Sequence, residues 1–220
     1  MHSKLLHMGL AAVGALLFSA ASARAVSLDT LLGAGPGNMI VVGNTVYSNF
    51  SYGGTTPSSN VVVTSSTTGL SFTNNTGAWT TPTGSSIISY DVTVTGSVVQ
   101  TVGLGFTATA SGGASAFVGE TITDKTNNKD YSLQVFTDGA GPLADTSSAS
   151  VTLNPASGSL HVIKSIDVAS NGNASASITL VDNTFTQPGG GEQPGIPEPA
   201  TLALLPLGLA GLALRRKFAH

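Results

Sequence analysis

From residue 38 to residue 186, apolar and polar side chains alternate in short runs broken by Gly, Asn, Pro and Ser. Val92 and Val94 alternate with Asp91, Thr93 and Thr95. Val102, Leu104 and Phe106 alternate with Gly103, Gly105 and Thr107, and Leu133 and Val135 with Ser132, Gln134 and Phe136. Val151 and Leu153, Ile166 and Val168, and Ile178 and Leu180 repeat the pattern. A period of two buries one face of a strand and leaves Thr or Ser on the other. No helical periodicity of any length runs through this region. The pattern predicts roughly ten strands, near 38–43, 45–52, 60–64, 69–73, 86–97, 99–110, 114–123, 131–137, 147–154, 160–169 and 175–186. Strands at that spacing predict an all-β fold, an antiparallel β-sandwich or jelly-roll-like domain.

Both ends depart from this alternation. Lys4, helped by His2 and His7, precedes an apolar run from Met8 to about Ala21, and Ala23-Arg24-Ala25 follows as an A-x-A pattern. That order reads as a secretory signal peptide with a signal helix, cleaved after Ala25 to leave Val26 first. At the other end, Gln187 to Gly195 form a Gly/Pro linker without regular structure. Ile196-Pro197-Glu198-Pro199 follow, then an uncharged stretch from Ala200 to Leu214, then Arg215-Arg216-Lys217. As a helix rising 1.5 Å per residue, that stretch spans about 23 Å, short of the roughly 30 Å hydrocarbon core. Snorkelling of Arg215 and Lys217 extends it, and the basic cluster stays cytoplasmic. Pro206 weakens the helix, which a membrane tolerates. The expected organisation is therefore a signal peptide (1–25), a β-sandwich passenger domain (26–186) and a linker (187–195). A sorting segment (196–220) closes the chain, with a transmembrane helix over 200–214.

The Pro-Glu-Pro motif, the apolar stretch and the terminal basic cluster, in that order, resemble the PEP-CTERM sorting signal of Gram-negative bacteria. The resemblance implies recognition by exosortase, a membrane cysteine protease of the inner membrane. It also implies transient anchoring there, processing near Pro197, Glu198 and Pro199, and delivery to the cell surface or extracellular matrix. The same tail is sometimes labelled an ice-binding protein C-terminal domain, a label that says nothing about the passenger. The passenger resembles a recurrent one among PEP-CTERM proteins, through Val42 to Phe50, Gly69-Leu70-Ser71-Phe72, Gly77-Ala78-Trp79 and Ala174 to Phe185. Asn44 stands where that pattern commonly has Asp. This second resemblance implies no activity and no catalytic residues.

Composition narrows the chemistry. Charged residues make up 9% of the chain, against about 25% in ordinary soluble domains. There is no cysteine, which excludes disulfides, thiolate zinc sites and cysteine nucleophiles. Between Val26 and Ile196, ten acids face only Lys125, Lys129 and Lys164, a net charge of −7. So few cations argue against nucleic acid and against anionic lipid surfaces. Ser and Thr form about 29% of that region, a composition that suits an outward Thr-rich sheet face or O-glycosylation.

No catalytic constellation emerges. After processing, the single histidine is His161, between Leu160 and Val162 on a strand, and no G-x-S-x-G elbow accompanies it. Two glutamates survive, Glu120 and the linker's Glu192, so a glycosidase pair has no evident partner. The best candidate cation ligands are Asp124, Asn127, Asn128 and Asp130 in one loop and Asp138 and Asp145 around another. Lys125 and Lys129 offset the charge of the first group, and no EF-hand spacing appears. Thr93/Thr95, Thr107/Thr109 and Thr121/Thr123 recur at a fixed step, as in some ice-binding solenoids, but the residues between them do not repeat. Trp79 with Tyr47, Tyr52 and Tyr90 is a candidate sugar-stacking platform, with a core role for Trp79 the simpler alternative.

The expected function is that of a non-enzymatic exported protein of the cell surface or exopolysaccharide-associated biofilm matrix, with no cofactor. The alternative is a carbohydrate- or calcium-binding matrix module, and after it an ice-binding protein. Expected partners are signal peptidase, exosortase, the inner membrane transiently and a surface polymer such as exopolysaccharide. Mass spectrometry of both termini of protein recovered outside the cells should find Val26 first and an end near Pro197-Glu198-Pro199. A C-terminus retaining Arg215-Arg216-Lys217, found only in the membrane fraction, would instead mean a plain membrane anchor.

Overall fold

In a computed structural model of the chain, thirteen strands among the described residues build two antiparallel sheets packed face to face. The structure describes residues 24–33, 35, 38–75, 79–80, 83–139, 145–170 and 173–188. The signal helix and the transmembrane helix expected from the sequence lie outside the described residues.

The strands are β1 (Ala25–Ser27), β2 (Ile40–Val42), β3 (Thr45–Gly54), β4 (Val61–Ser66), β5 (Gly69–Asn74), β6 (Trp79–Thr80) and β7 (Thr83–Val94). They continue with β8 (Val99–Ser111), β9 (Ser115–Asp124), β10 (Lys129–Asp138), β11 (Ser148–Ser157), β12 (Ser159–Ala169) and β13 (Ser175–Thr186). One sheet runs β1-β4-β5-β13-β8-β11, with β6 also paired to β13; the other runs β10-β9-β12-β7-β3-β2. After the β9–β10 hairpin the chain changes sheets at every connection, so each late strand is covered by its sequence neighbour. The all-β sandwich expected from the alternation is the observed architecture.

The inward residues are those the period of two selects. Ile88, Tyr90 and Val92 on β7, Val118 and Ile122 on β9, and Leu160, Val162, Ile166 and Val168 on β12 face Val102, Leu104, Ile178, Val181 and Phe185 of the opposite sheet, all buried. Between them sits an aromatic cluster. Tyr90 stacks on Phe50 with ring centres 5.5 Å apart, and Phe72 and Tyr47 approach it at 5.8 and 6.4 Å. Burying each such ring contributes about 2 kcal/mol. A short 3-10 helix, Leu28–Leu31, buries Leu28 and Leu31 against this core.

Three places break the alternation. Asn49 adopts a positive φ of 54°, and the β3–β7 register shifts between Ser48 and Ser51. The bulge flips the parity of β3, so that Tyr47 and Phe50 both face inward. The β8–β13 register shifts between Ile178 and Leu180, and β8–β11 between Thr152 and Ser157. Gly69 answers a different constraint. A Cβ there would fall 1.7 Å from the carbonyl oxygen of Asn183 on β13, so only glycine permits this close approach.

At the β9–β10 turn, Asp124 is fully buried beneath residues 125–128. Its Oδ1 accepts hydrogen bonds from the Thr126 and Asn127 amides at 2.9 and 3.0 Å and from the Ser157 hydroxyl at 2.5 Å. Its Oδ2 accepts one from the Asn127 carboxamide at 2.7 Å. Asn128 takes the left-handed conformation, φ 54°, that Asn tolerates. The loop nominated from sequence for a cation therefore spends its buried carboxylate on closing the turn. Burial by itself raises the Asp124 pKa, but these four donors outweigh it and hold the carboxyl below its ordinary range.

A carboxyl with a lower pKa in the folded than in the unfolded chain adds stability above the ordinary carboxylate range, and that stability fades as pH falls below it. Asp124→Ala should therefore cost about 3 kcal/mol at pH 7, because the β9–β10 turn and Ser157 of β11 both lose a charged acceptor. The gap between wild type and variant should narrow below about pH 4. Urea unfolding at several pH values checks this, and a gap of constant size would contradict it.

Candidate functional site

On the outer face of the six-stranded sheet, polar side chains converge on Asp91 of β7. Asp91 stands in register opposite His161 of β12, and its Oδ1 lies 2.7 Å from His161 Nδ1. Lys125, just past the end of β9, donates to the same oxygen at 2.7 Å. The bulge in β3 aims Asn49 so that its carboxamide donates to Oδ2 at 2.7 Å. The Asp91 side chain is only 13% exposed. Burial raises its pKa, but the hydrogen bonds from Lys125, Asn49 and His161 and the Lys125 charge prevail, so it stays an anion.

This arrangement fixes one face of the imidazole, as an orienting carboxylate does in hydrolytic triads. A triad also needs a hydroxyl on the other ring nitrogen, and among the described residues none is hydrogen-bonded to His161 Nε2. The His161 cluster is more than the isolated strand histidine read from sequence. Asp91, which completes it, carried no local motif.

A second polar set lies between the sheets. Lys164 of β12 and Glu120 of β9 are in register and buried, and Lys164 Nζ donates to Glu120 Oε2. Glu120 Oε1 accepts from Asn183 Nδ2 at 3.0 Å, and the same nitrogen donates to the Gly103 carbonyl at 2.9 Å. The Tyr90 hydroxyl donates to Asn183 Oδ1. Sequence reading missed this set, although parity carried the signal. Lys164 stands in step with Val162 and Ile166, and Glu120 with Val118 and Ile122, so both occupy inward positions.

On the outer face of the seven-stranded sheet, Gly103 and Gly105 leave a shallow open groove of about 390 Å³. Ser148, Ser150, Asp182 and Thr184 line it. It contains no aromatic ring. The aromatic platform considered from sequence does not form: Trp79, Tyr47 and Tyr90 are all core residues. Trp79 pairs through β6 with Ile178 of β13, and its indole N–H donates to Ser86 Oγ at 3.1 Å. Tyr52 donates to the Thr56 carbonyl at 2.5 Å.

The recurring Thr pairs do not make one array either. Thr93, Thr121 and Thr123 face outward from the six-stranded sheet, while Thr107 and Thr109 do so from the other. The two sets point to opposite sides of the molecule, which removes the geometric basis for an ice-binding surface built from them. Asp145 accepts from the Asp138 amide at 3.0 Å, and Asp130 is exposed. Among the described residues no three His, Asp or Glu side chains are grouped to hold a metal ion.

The expected signal-peptide cut falls inside β1. Ala25 pairs with Thr64 and Val26 with Val63, and the Arg24 carbonyl accepts from the Ser65 amide. Cleavage after Ala25 would leave Val26 and Ser27 in the ladder. Asn44 and Gln187 exchange two carboxamide hydrogen bonds, at 3.1 and 3.2 Å, which tie the first linker residue to the β2–β3 turn. Ala23 and the C-terminal Pro197, Glu198, Pro199, Arg215, Arg216 and Lys217 lie outside the described residues. Among those described, no helix is long and apolar enough to cross a membrane.

Distant likenesses among solved structures include two proteins. TmCBM61, solved in complex with beta-1,4-galactotriose, is 13% identical, with a TM-score of 0.36 over 64% of this chain and 89% of its own. The enzymatically active domain of bacteriophage CBA120 tailspike protein 4 is also 13% identical. Its TM-score is 0.27, over 73% of this chain and 24% of its own. No curated protein matches the chain. Residues 195–217 match the PEP-CTERM protein-sorting motif, which implies an exported protein held transiently in the membrane and processed by exosortase.

Proposed function

We propose that this chain is a non-enzymatic structural protein of the cell surface or extracellular matrix, a β-sandwich delivered there by its sorting tail. The observation that carries the reading is the PEP-CTERM match at 195–217. In this reading signal peptidase removes residues 1–25, and the apolar stretch 200–214 holds the folded domain at the inner membrane. Exosortase then cuts near Pro197-Glu198-Pro199, and the domain joins a surface polymer such as exopolysaccharide. No cofactor enters the reading. The hydroxyl-rich outer faces and the small number of cations suit a hydrated polysaccharide setting more than a nucleic acid or an anionic membrane.

The second reading, a carbohydrate-binding module, has one specific observation in its favour. The groove over Gly103 and Gly105 offers the Asp182 carboxylate and the hydroxyls of Ser148, Ser150 and Thr184 on one open surface. Those are acceptors and donors suited to sugar hydroxyls.

Replacing Pro197 and Pro199 together by Ala should shift most of the protein from the extracellular to the inner-membrane fraction, with Arg215-Arg216-Lys217 retained. Release equal to wild type would refute exosortase processing at this motif. A glycan array separates the two readings. No ligand is expected under the first, whereas under the second a glycan binds and Asp182→Ala weakens it by about tenfold.

A further inference from the structure

Lys164, Glu120, Asn183 and Tyr90 meet in the interior, all four buried. A single carboxylate, Glu120, touches an amine with one oxygen and a carboxamide nitrogen with the other. The amine belongs to the six-stranded sheet and the carboxamide to its partner. The carbonyl of that carboxamide receives the Tyr90 hydroxyl. Each contact is one that condensation of the two groups would need. The nucleophile and the acyl carbon are held together by a shared neighbour, which supplies proximity without any encounter step. A hydroxyl donor polarises the carbonyl and waits on the oxygen where negative charge develops. A carboxyl group reaches both the nitrogen that must lose a proton and the nitrogen that must gain one.

We propose that Lys164 and Asn183 become joined by an intramolecular isopeptide bond, formed autocatalytically with Glu120 as proton shuttle and Tyr90 as the donor to the carbonyl oxygen.

The step balances without any external reagent. Lys164 first passes a proton to Glu120, giving a neutral amine and a carboxylic acid. The amine lone pair attacks Cγ of Asn183, forming the Nζ–Cγ bond and placing charge on Oδ1, which Tyr90 stabilises. Glu120 protonates Nδ2 as the Cγ–Nδ2 bond breaks, and accepts the proton that Nζ sheds. The products are a secondary amide, one molecule of ammonia and a neutral Glu120, with no change in oxidation state. Burial favours the neutral amine and lowers the Lys164 pKa, against the opposing pull of Glu120. Burial also raises the Tyr90 pKa and keeps it protonated to donate. The reaction replaces a buried ion pair by an amide, and so removes a desolvation cost.

The test uses the full chain, expressed in a Gram-negative host, purified folded and then denatured, with its actual termini fixed by peptide mapping. The mass should fall below that of the sequence by about 17 Da, one ammonia. Trypsin should fail to cut after Lys164, and fragmentation should yield a branched peptide joining Lys164 to Asn183. Glu120→Gln should restore both the full mass and cleavage after Lys164. If that variant does not fold, Tyr90→Phe should slow the loss of mass with time. Wild type at full sequence mass, cut normally after Lys164, would overturn the proposal. So would a deficit of the same size with Lys164 still cleaved, since that marks cyclisation of an asparagine alone. A deficit of about 18 Da with Lys164 joined to Glu120 would overturn it as well, because water rather than ammonia has then left.

Discussion

A lysine and a glutamate buried between the sheets are the most demanding feature of this sandwich. Moving either charge out of water costs several kcal/mol, and their mutual attraction offsets this only when the remaining donors and acceptors are matched. Here Lys164 and Glu120 stand opposite each other on adjacent strands. Asn183 reaches across from the other sheet to satisfy the second carboxylate oxygen, and Tyr90 and Gly103 satisfy Asn183 in turn. No buried side-chain polar atom among the described residues is left without a partner. The network constrains register as much as energy. A slip of β12 by one residue would turn Lys164 outward and leave the buried Glu120 carboxylate without its counter-charge. It also relates the two sheets, since the partner that completes the carboxylate belongs to the opposite layer.

The alternation of apolar and polar residues made most of this architecture legible. The strands expected near 69–73, 99–110, 160–169 and 175–186 fall within a residue or two of β5, β8, β12 and β13, because each has one wet face and one dry face. Where a bulge changes parity, the pattern misleads. Nothing between Tyr47 and Phe50 announces that Asn49 will take a left-handed turn. Yet that turn both buries Phe50 and points Asn49 at Asp91. The two-residue β6 carries no period at all, and Trp79 gains its place by pairing with β13.

The sites were less legible than the strands, for a related reason. Asp91, Lys125 and His161 are far apart in sequence, and only the β7–β12 register brings the first and last together. The interior set had a local sign, charged residues at inward positions. Identifying their partners, however, needs the other sheet. The Asp124 loop shows how one composition serves two readings. A cluster of Asp and Asn in a short loop reads as cation ligands, but the same oxygens serve equally well to cap their own turn. Residues 195–217 carry an address. Their meaning was readable from order and composition alone, and it agrees with the match at 195–217.

The position of the last strand has a mechanical consequence. β13 lies inside its sheet, hydrogen-bonded to β5 on one side and β8 on the other, and it leads directly into the tail. Tension applied through the C-terminus along β13 therefore loads two ladders in shear at once, with every cross-strand bond lying across the direction of pull. An edge strand in that position would instead unzip one bond at a time. For any domain pulled by its C-terminus, a central strand in that position is the stronger grip.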